Sequence, residues 1–416
     1  MTNTRLLARA PIAFLALAAA PVAHAAAHLP VTFYVSASGS DTAPGTQARP
    51  WKTLGRANRQ RFQAGDALLL EGGRSFAGQL VFGTGSSGTA AAPVHVASYG
   101  NGRATIAAGT GDGIRVTNAG GYRIENLVVR GAGVRTNTGI GVFFHSTRRG
   151  SAKFDYTLVR NVDVSGFLNA GVQFLADDLY GFSNVTVDGV VAHDNGDNGI
   201  STFGRYVQFS EGKQPYAHAN VHVTHSTVYR NLGIRGSDAN TGSGIELQSV
   251  AGGLIDYNIA HDNGGVGKKS VGGGPVAIWS WDSDSIAIRF NEAYRQLTGD
   301  AGDGDGFDLD GGSSNCVVEY NYSHDNVGDG YLVTQFDTAR KFVHNIFRYN
   351  VSENDNRQDN NAGLLVSGST GNGAVFDLTY SHNTVWTTPG TFATSGMRVI
   401  PYGEYHDVRF LEIWLS

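Results

Sequence analysis

The segment Tyr320-Asn321-Tyr322-Ser323-His324-Asp325-Asn326, followed shortly by Gly330-Tyr331-Leu332-Val333, decides the fold. Its two marks recur along the chain. The first is an Asn, or a small residue in its place, set between short apolar runs: Asn126, Asn161, Gly189, Ser226, Asn258, Asn291, Asn321, Asn350 and Asn383, at steps of 28 to 37 residues. The second is a Gly leading into an apolar strand: Gly171-Val172, Gly199-Ile200, Gly244-Ile245, Gly306-Phe307, Gly330-Tyr331, Gly363-Leu364 and Gly396-Met397. Imperfect repeats of this length, built from short strands, mean a solenoid in which each coil buries its apolar face against the next. Within a strand, side chains alternate between core and surface, as in Ile245-Glu246-Leu247-Gln248. No helical pattern separates the strands, which argues against βαβ units, and a propeller needs a longer repeat of about 40–50 residues. The expected fold is all-β, a parallel β-solenoid of about nine to eleven coils. Its repeated Asn side chains should form hydrogen-bonded ladders in the turns.

Composition agrees. Gly supplies 57 of 416 residues without a Gly-X-Y period, which points to many tight turns and excludes collagen. Charged residues are 16% and the net charge is -5, so no nucleic-acid partner is expected. Arg5 and Arg9, the apolar run from Ile12 to Ala20, and Ala23-His24-Ala25 read as an export signal ending at residue 25. Residues 26–416 are then expected to be one secreted, monomeric domain, periplasmic or extracellular, without a membrane span. Within it, the cap and first strands would occupy about 31–110 and the repeat coils 111–416. The lone Cys316 reads as a core residue. His193-Asp194-Asn195, His261-Asp262-Asn263 and His324-Asp325-Asn326 fall at the same point of successive coils and read as repeat turns rather than metal sites. No capping segment is recognisable after the last coil: either Leu411 to Ser416 covers it or the chain is truncated there.

The opening, Tyr34-Val35-Ser36 through Gly39-Ser40-Asp41 to Pro50-Trp51-Lys52-Thr53-Leu54, resembles that of secreted bacterial right-handed parallel β-helix proteins of the pectate-lyase-like superfamily. Gly306-Phe307-Asp308-Leu309-Asp310-Gly311-Gly312 and the repeat at Tyr320 are similar to the same group. The resemblance implies a right-handed helix with a short N-terminal helix, at Trp51 to Arg61, capping the first coil. It implies little about chemistry, because the superfamily holds lyases, hydrolases, epimerases and proteins without known activity.

Loops lengthen on consecutive coils, at 231–243, 263–274 and 295–305, and an insert follows Arg205; in solenoids such inserts map to one face, often the binding face. The acidic run Asp303, Asp305, Asp308, Asp310 lies among them. Asp308 and Asp310 are expected to point outward from one strand, roughly 7 Å apart. Aligning the repeats places Glu246, Ala277, Asp308 and Leu332 in one outward column, and Gln248, Trp279, Asp310 and Thr334 in the next. Glu246 and Asp308 would then be on the order of 9–10 Å apart, near the spacing of acid and base in inverting glycosidases. Asp308, Asp310 and Glu246 are the candidate catalytic residues; Trp279, Trp281, Asp282 and Tyr331 are candidates for substrate binding; Asp303 and Asp305 are candidate ligands for calcium.

Three functions remain open. Paired carboxylates favour a glycoside hydrolase acting on an extracellular polysaccharide. A calcium-dependent lyase for uronic-acid polymers would need a basic proton acceptor. The lyase branch that the resemblance brings in implies Lys where this chain has Asp308, and Lys268, Lys269 or Arg289 would have to substitute. A non-catalytic carbohydrate-binding protein would use the same groove.

Overall fold

The computed structural model describes residues 28–266, 273–300, 302–357, 362–388 and 395–416. The export signal and Lys268 and Lys269 lie outside these residues. The chain winds into a right-handed parallel β-helix of about eleven turns with almost no helix. All named strand pairs are parallel, and one face is an eleven-stranded sheet, the front sheet, from Leu80–Phe82 to Ser395–Val399. The remaining strands meet at a sharp corner, as between Val250–Asp256 and Ile259–His261.

Alternation fills the interior. Ile245, Ile278, Phe307, Tyr331 and Leu364 are successive register partners, all buried, and the Phe307 and Tyr331 rings stack at 5.1 Å. Cys316 is buried, as expected. The Asn ladder forms from Ser226 onward. Asn258, Asn291, Asn321 and Asn350 each donate a backbone N–H and a side-chain N–H to the next carboxamide oxygen, at 2.9–3.1 Å. These buried bonds satisfy turn groups that no strand can reach.

Residues just before the ladder turn the corner in the left-handed region. Asn126, Asn161 and Gly189 do so in early coils; Tyr257, Phe290, Tyr320, Tyr349 and His382 do so later, and their rings stack at 4.9–5.3 Å. The His-Asp-Asn turns are structural too. Each His accepts or donates at the neighbouring Asp, and His193, Tyr229, His261, Tyr294 and His324 form a second stack.

The N-terminal helix is shorter than expected, Leu54–Ala57, with Thr53 as its N-cap. Asn58 ends it by bonding the first front strand: Oδ1 accepts from the Val81 N–H and Nδ2 donates to the Gln79 carbonyl. The edge that would otherwise lie open is thereby engaged.

Candidate functional site

The front sheet carries the site on its outward face, and its register differs from the repeat alignment in one coil. Glu246 pairs with Trp279, and Trp279 with Asp308, whose next partner is Leu332. Trp279, not Ala277, therefore stands between Glu246 and Asp308. The cause lies in the second repeat mark. Ala277 occupies the place that Gly244, Gly306 and Gly330 hold elsewhere, so the true start of this strand carries no Gly signal.

Asp308 lies in the strand Asp305–Leu309 and Asp310 just past its end. Asp310 is set by its own turn: its N–H donates to the Ser280 carbonyl, and its Oδ1 accepts from the Gly311 N–H at 2.6 Å. A Cβ on Gly311 would lie 2.2 Å from the Phe336 ring, so the turn closes only with Gly there. Asp303 approaches from the preceding loop, its Oδ2 accepting from the Gly274 N–H at 2.6 Å. Asp329 comes from the next coil, its Oδ1 accepting from the Ala362 N–H. These four carboxylates line one cleft of about 350 Å³, with Trp279 and Asn240 at one side and Leu332, Thr334, Leu365 and Ser367 at the other. No Lys, Arg or His lines it among the described residues.

Crowded buried acids hold their protons. Burial first, then the negative charges of Asp310, Asp303 and Asp329, push Asp308 well above the usual carboxylate range. Burial is also the main cause for Asp310, raised to about 7 with Asp303 adding to it and the Gly311 N–H opposing. Two polar atoms of the lining, Asp308 Oδ1 and Trp279 Nε1, are buried without a hydrogen-bond partner among the described residues. Such groups are costly unless something meets them, and here a ligand in the cleft can.

Other candidates move. Glu246 is 4% exposed and does not line the cleft. Its Oε1 accepts from Trp281 Nε1 at 2.8 Å and its Oε2 from Asn198 Nδ2 at 2.7 Å, which makes it a support for Trp281. Burial raises it to about 8. Tyr331 shares the inward parity of Phe307; it is fully buried and donates its hydroxyl to the Asn321 and Val351 carbonyls, so it cannot meet a substrate. Asp282 is likewise fully buried, bonded to Arg340 Nε at 2.7 Å and Gln248 Nε2 at 3.1 Å. Trp281 is half-buried, near-parallel to Trp279 at 6.4 Å, and remains beside the cleft. Asp305 is buried and outside the lining, with its Oδ1 accepting from the Asp329 N–H. Among the described residues no three His, Cys, Asp or Glu side chains converge as metal ligands, and Asp303 and Asp305 are divided between the cleft lining and the core beneath it.

Asp329 was not singled out from the sequence, although the signal exists: Asp329-Gly330-Tyr331 repeats Asp305-Gly306-Phe307 one coil later. Asn240 carries no comparable mark, because it reaches the cleft from a loop, whereas Ser367 continues the outward column as the register partner of Thr334.

A family model described as "right handed beta helix region" matches residues 216–385. A lacto-N-biosidase of Bifidobacterium longum is 26% identical over 78% of this chain, and the match spans 26% of that protein, so the chain corresponds to about a quarter of its length. The crystal structure of a GH136 lacto-N-biosidase from Eubacterium ramulus superposes with a TM-score of 0.68 at 20% identity, over 92% of this chain and 68% of that one. An alginate lyase from a Paenibacillus species gives 0.50 at 17% identity, over 91% and 99%. The fold is that of the pectate-lyase-like right-handed β-helix superfamily.

Proposed function

We propose that this β-helix protein is a glycoside hydrolase that cleaves a neutral glycan in the front-sheet cleft. One observation carries the reading: four carboxylates and an unpartnered indole N–H line the cleft, and no cationic side chain joins them among the described residues. A uronate substrate would meet net repulsion there, and among the described residues no basic proton acceptor for a lyase lines the cleft. Similarity to the lacto-N-biosidases supports a glycosidase.

In this mechanism Asp310, protonated near neutral pH, gives its proton to the glycosidic oxygen as the bond to the anomeric carbon breaks. Asp303, which lines the same cleft and accepts from the Gly274 N–H, is the carboxylate that acts on the anomeric carbon or on the attacking water. Asp308, protonated with Oδ1 unpaired, and Trp279 Nε1 bond sugar hydroxyls. This shifts the acid–base pair from Asp308 and Asp310 to Asp303 and Asp310. The export signal supports an extracellular substrate; N-terminal sequencing of the protein recovered outside the cell should begin at Ala26.

The test is product analysis on a panel of neutral and acidic glycans. The proposal expects new reducing ends from a neutral member, without unsaturated sugar, lost in Asp310→Asn and Asp303→Asn. Unsaturated, ultraviolet-absorbing product from a uronate polymer would overturn it.

A further inference from the structure

We infer that Tyr206 is a specificity-determining residue of this cleft, carried over it by the insert at 204–217 and held there by Arg340 as a positioning residue. The inference rests on the hydrolase reading. The insert leaves the front sheet after the strand Ile200–Phe203, yet it is tied to the turn after Tyr331–Thr334, four coils away and therefore about 19 Å along the axis. There the Phe209 N–H donates to the Thr338 carbonyl at 2.9 Å and Tyr206 Oη meets Thr338 Oγ1 at 3.1 Å. At its root, the Gly204 N–H donates to Gln248 Oε1.

Arg340 is the clasp. Its Nη1 and Nη2 donate to the carbonyls of Gln214 and Pro215, its guanidinium lies 4.3 Å from the Tyr216 ring centroid, and its Nε donates to the fully buried Asp282. A buried ion pair is a poor source of stability, because desolvating both charges offsets their attraction. It is an effective way of fixing one arrangement, and the arrangement fixed here is the path of the insert. The outcome of that path is local. The Tyr206 ring rests 5.6 Å from Trp281, tilted by 40°, and Trp281 lies near-parallel to Trp279 of the cleft lining at 6.4 Å. Trp281 in turn is bonded to Glu246. Tyr206 and Trp281 thus extend the aromatic surface that begins at Trp279 in the cleft, on the side of the turns that follow the front sheet. A sugar whose glycosidic oxygen reaches Asp310 packs against that surface.

The experiment uses the full chain and nitrophenyl glycosides of neutral mono- and disaccharides, with intrinsic Trp fluorescence as a binding readout for the same sugars. Tyr206→Ala should raise KM about tenfold on the best substrate and change kcat by less than about threefold, as loss of one aromatic contact does. Tyr206→Phe should retain most of the affinity. Arg340→Met should give the same KM rise, the double variant no further rise, and trypsin should cut at Lys213 faster than in the wild type. Arg340→Lys should recover part of the affinity. A folded Tyr206→Ala protein with unchanged KM and sugar affinity would overturn the inference while leaving the hydrolase reading intact. If the wild type neither cleaves nor binds any member, both fall together. Arg340→Met that lowers Tm with KM unchanged would show a structural role alone and overturn the positioning claim.

Discussion

Trp281 Nε1 lies 2.8 Å from Glu246 Oε1, and this bond turns Glu246 from a candidate catalyst into a support for the cleft wall. Glu246→Gln keeps an acceptor for the indole and replaces a carboxyl that burial holds protonated by a neutral amide. Its kcat should stay within about threefold of wild type, whereas loss of a general acid costs about 10²–10⁴. Steady-state kinetics on any accepted glycoside checks this.

The same residue sets a pH dependence of stability. Glu246 rises to about 8 and Asp310 to about 7 on folding, from 4.5 and 3.8. The folded state therefore binds more protons than the unfolded state between these values. Their stabilising effect is complete below the unfolded pKa and is lost as pH rises through the folded one. Tm should fall from pH 5 to pH 8, and Glu246→Gln should flatten that slope, measured by thermal unfolding at fixed ionic strength.

Activity should fall on the alkaline side with a midpoint near the Asp310 value of about 7, because the acid must hold its proton. A kcat–pH profile checks it. Asp308→Asn, which keeps a neutral hydrogen-bonding group, should weaken KM more than kcat.

The Asn ladder makes a prediction about the fold alone. Asn321→Ala removes the acceptor of the Asn291 backbone N–H, one of three acceptors of Asn291 Nδ2, and the side-chain donor to the Ile288 carbonyl in the core. Unmet buried groups of this kind cost about 1–3 kcal/mol each, so denaturant unfolding should show a loss of at least about 2 kcal/mol. Tyr331→Phe should cost less, about 1 kcal/mol, and leave KM unchanged, because its hydroxyl bonds backbone groups of the core, the Asn321 and Val351 carbonyls among them.

The fold was legible because solenoid coils repeat their demands. Each of these corners needs a left-handed residue, followed from Ser226 onward by a ladder residue, and the coils approach closely where Gly244, Gly306 and Gly330 stand. The site was legible only in part. Asp308, Asp310 and Trp279 follow from strand parity and do line the cleft. Ala277 hid the register of its coil, so Trp279 was placed beside the wrong acid. Asp303 stood only as a candidate calcium ligand, because nothing in sequence reveals that its loop folds back to Gly274. Tyr206 meets Thr338 across 132 residues and Arg340 meets Gln214 across 126, contacts that belong to coil stacking and leave no local pattern.

The central claim is hydrolysis by the acids of the front-sheet cleft. The most direct measurement is mass spectrometry of products from a cleaved neutral glycan in oxygen-18 water, for wild type and Asp310→Asn, with and without a chelator. The account predicts one labelled oxygen at the new reducing end, no unsaturated product, no effect of the chelator, and loss of product in Asp310→Asn. An unlabelled, unsaturated product that disappears with the chelator would contradict it.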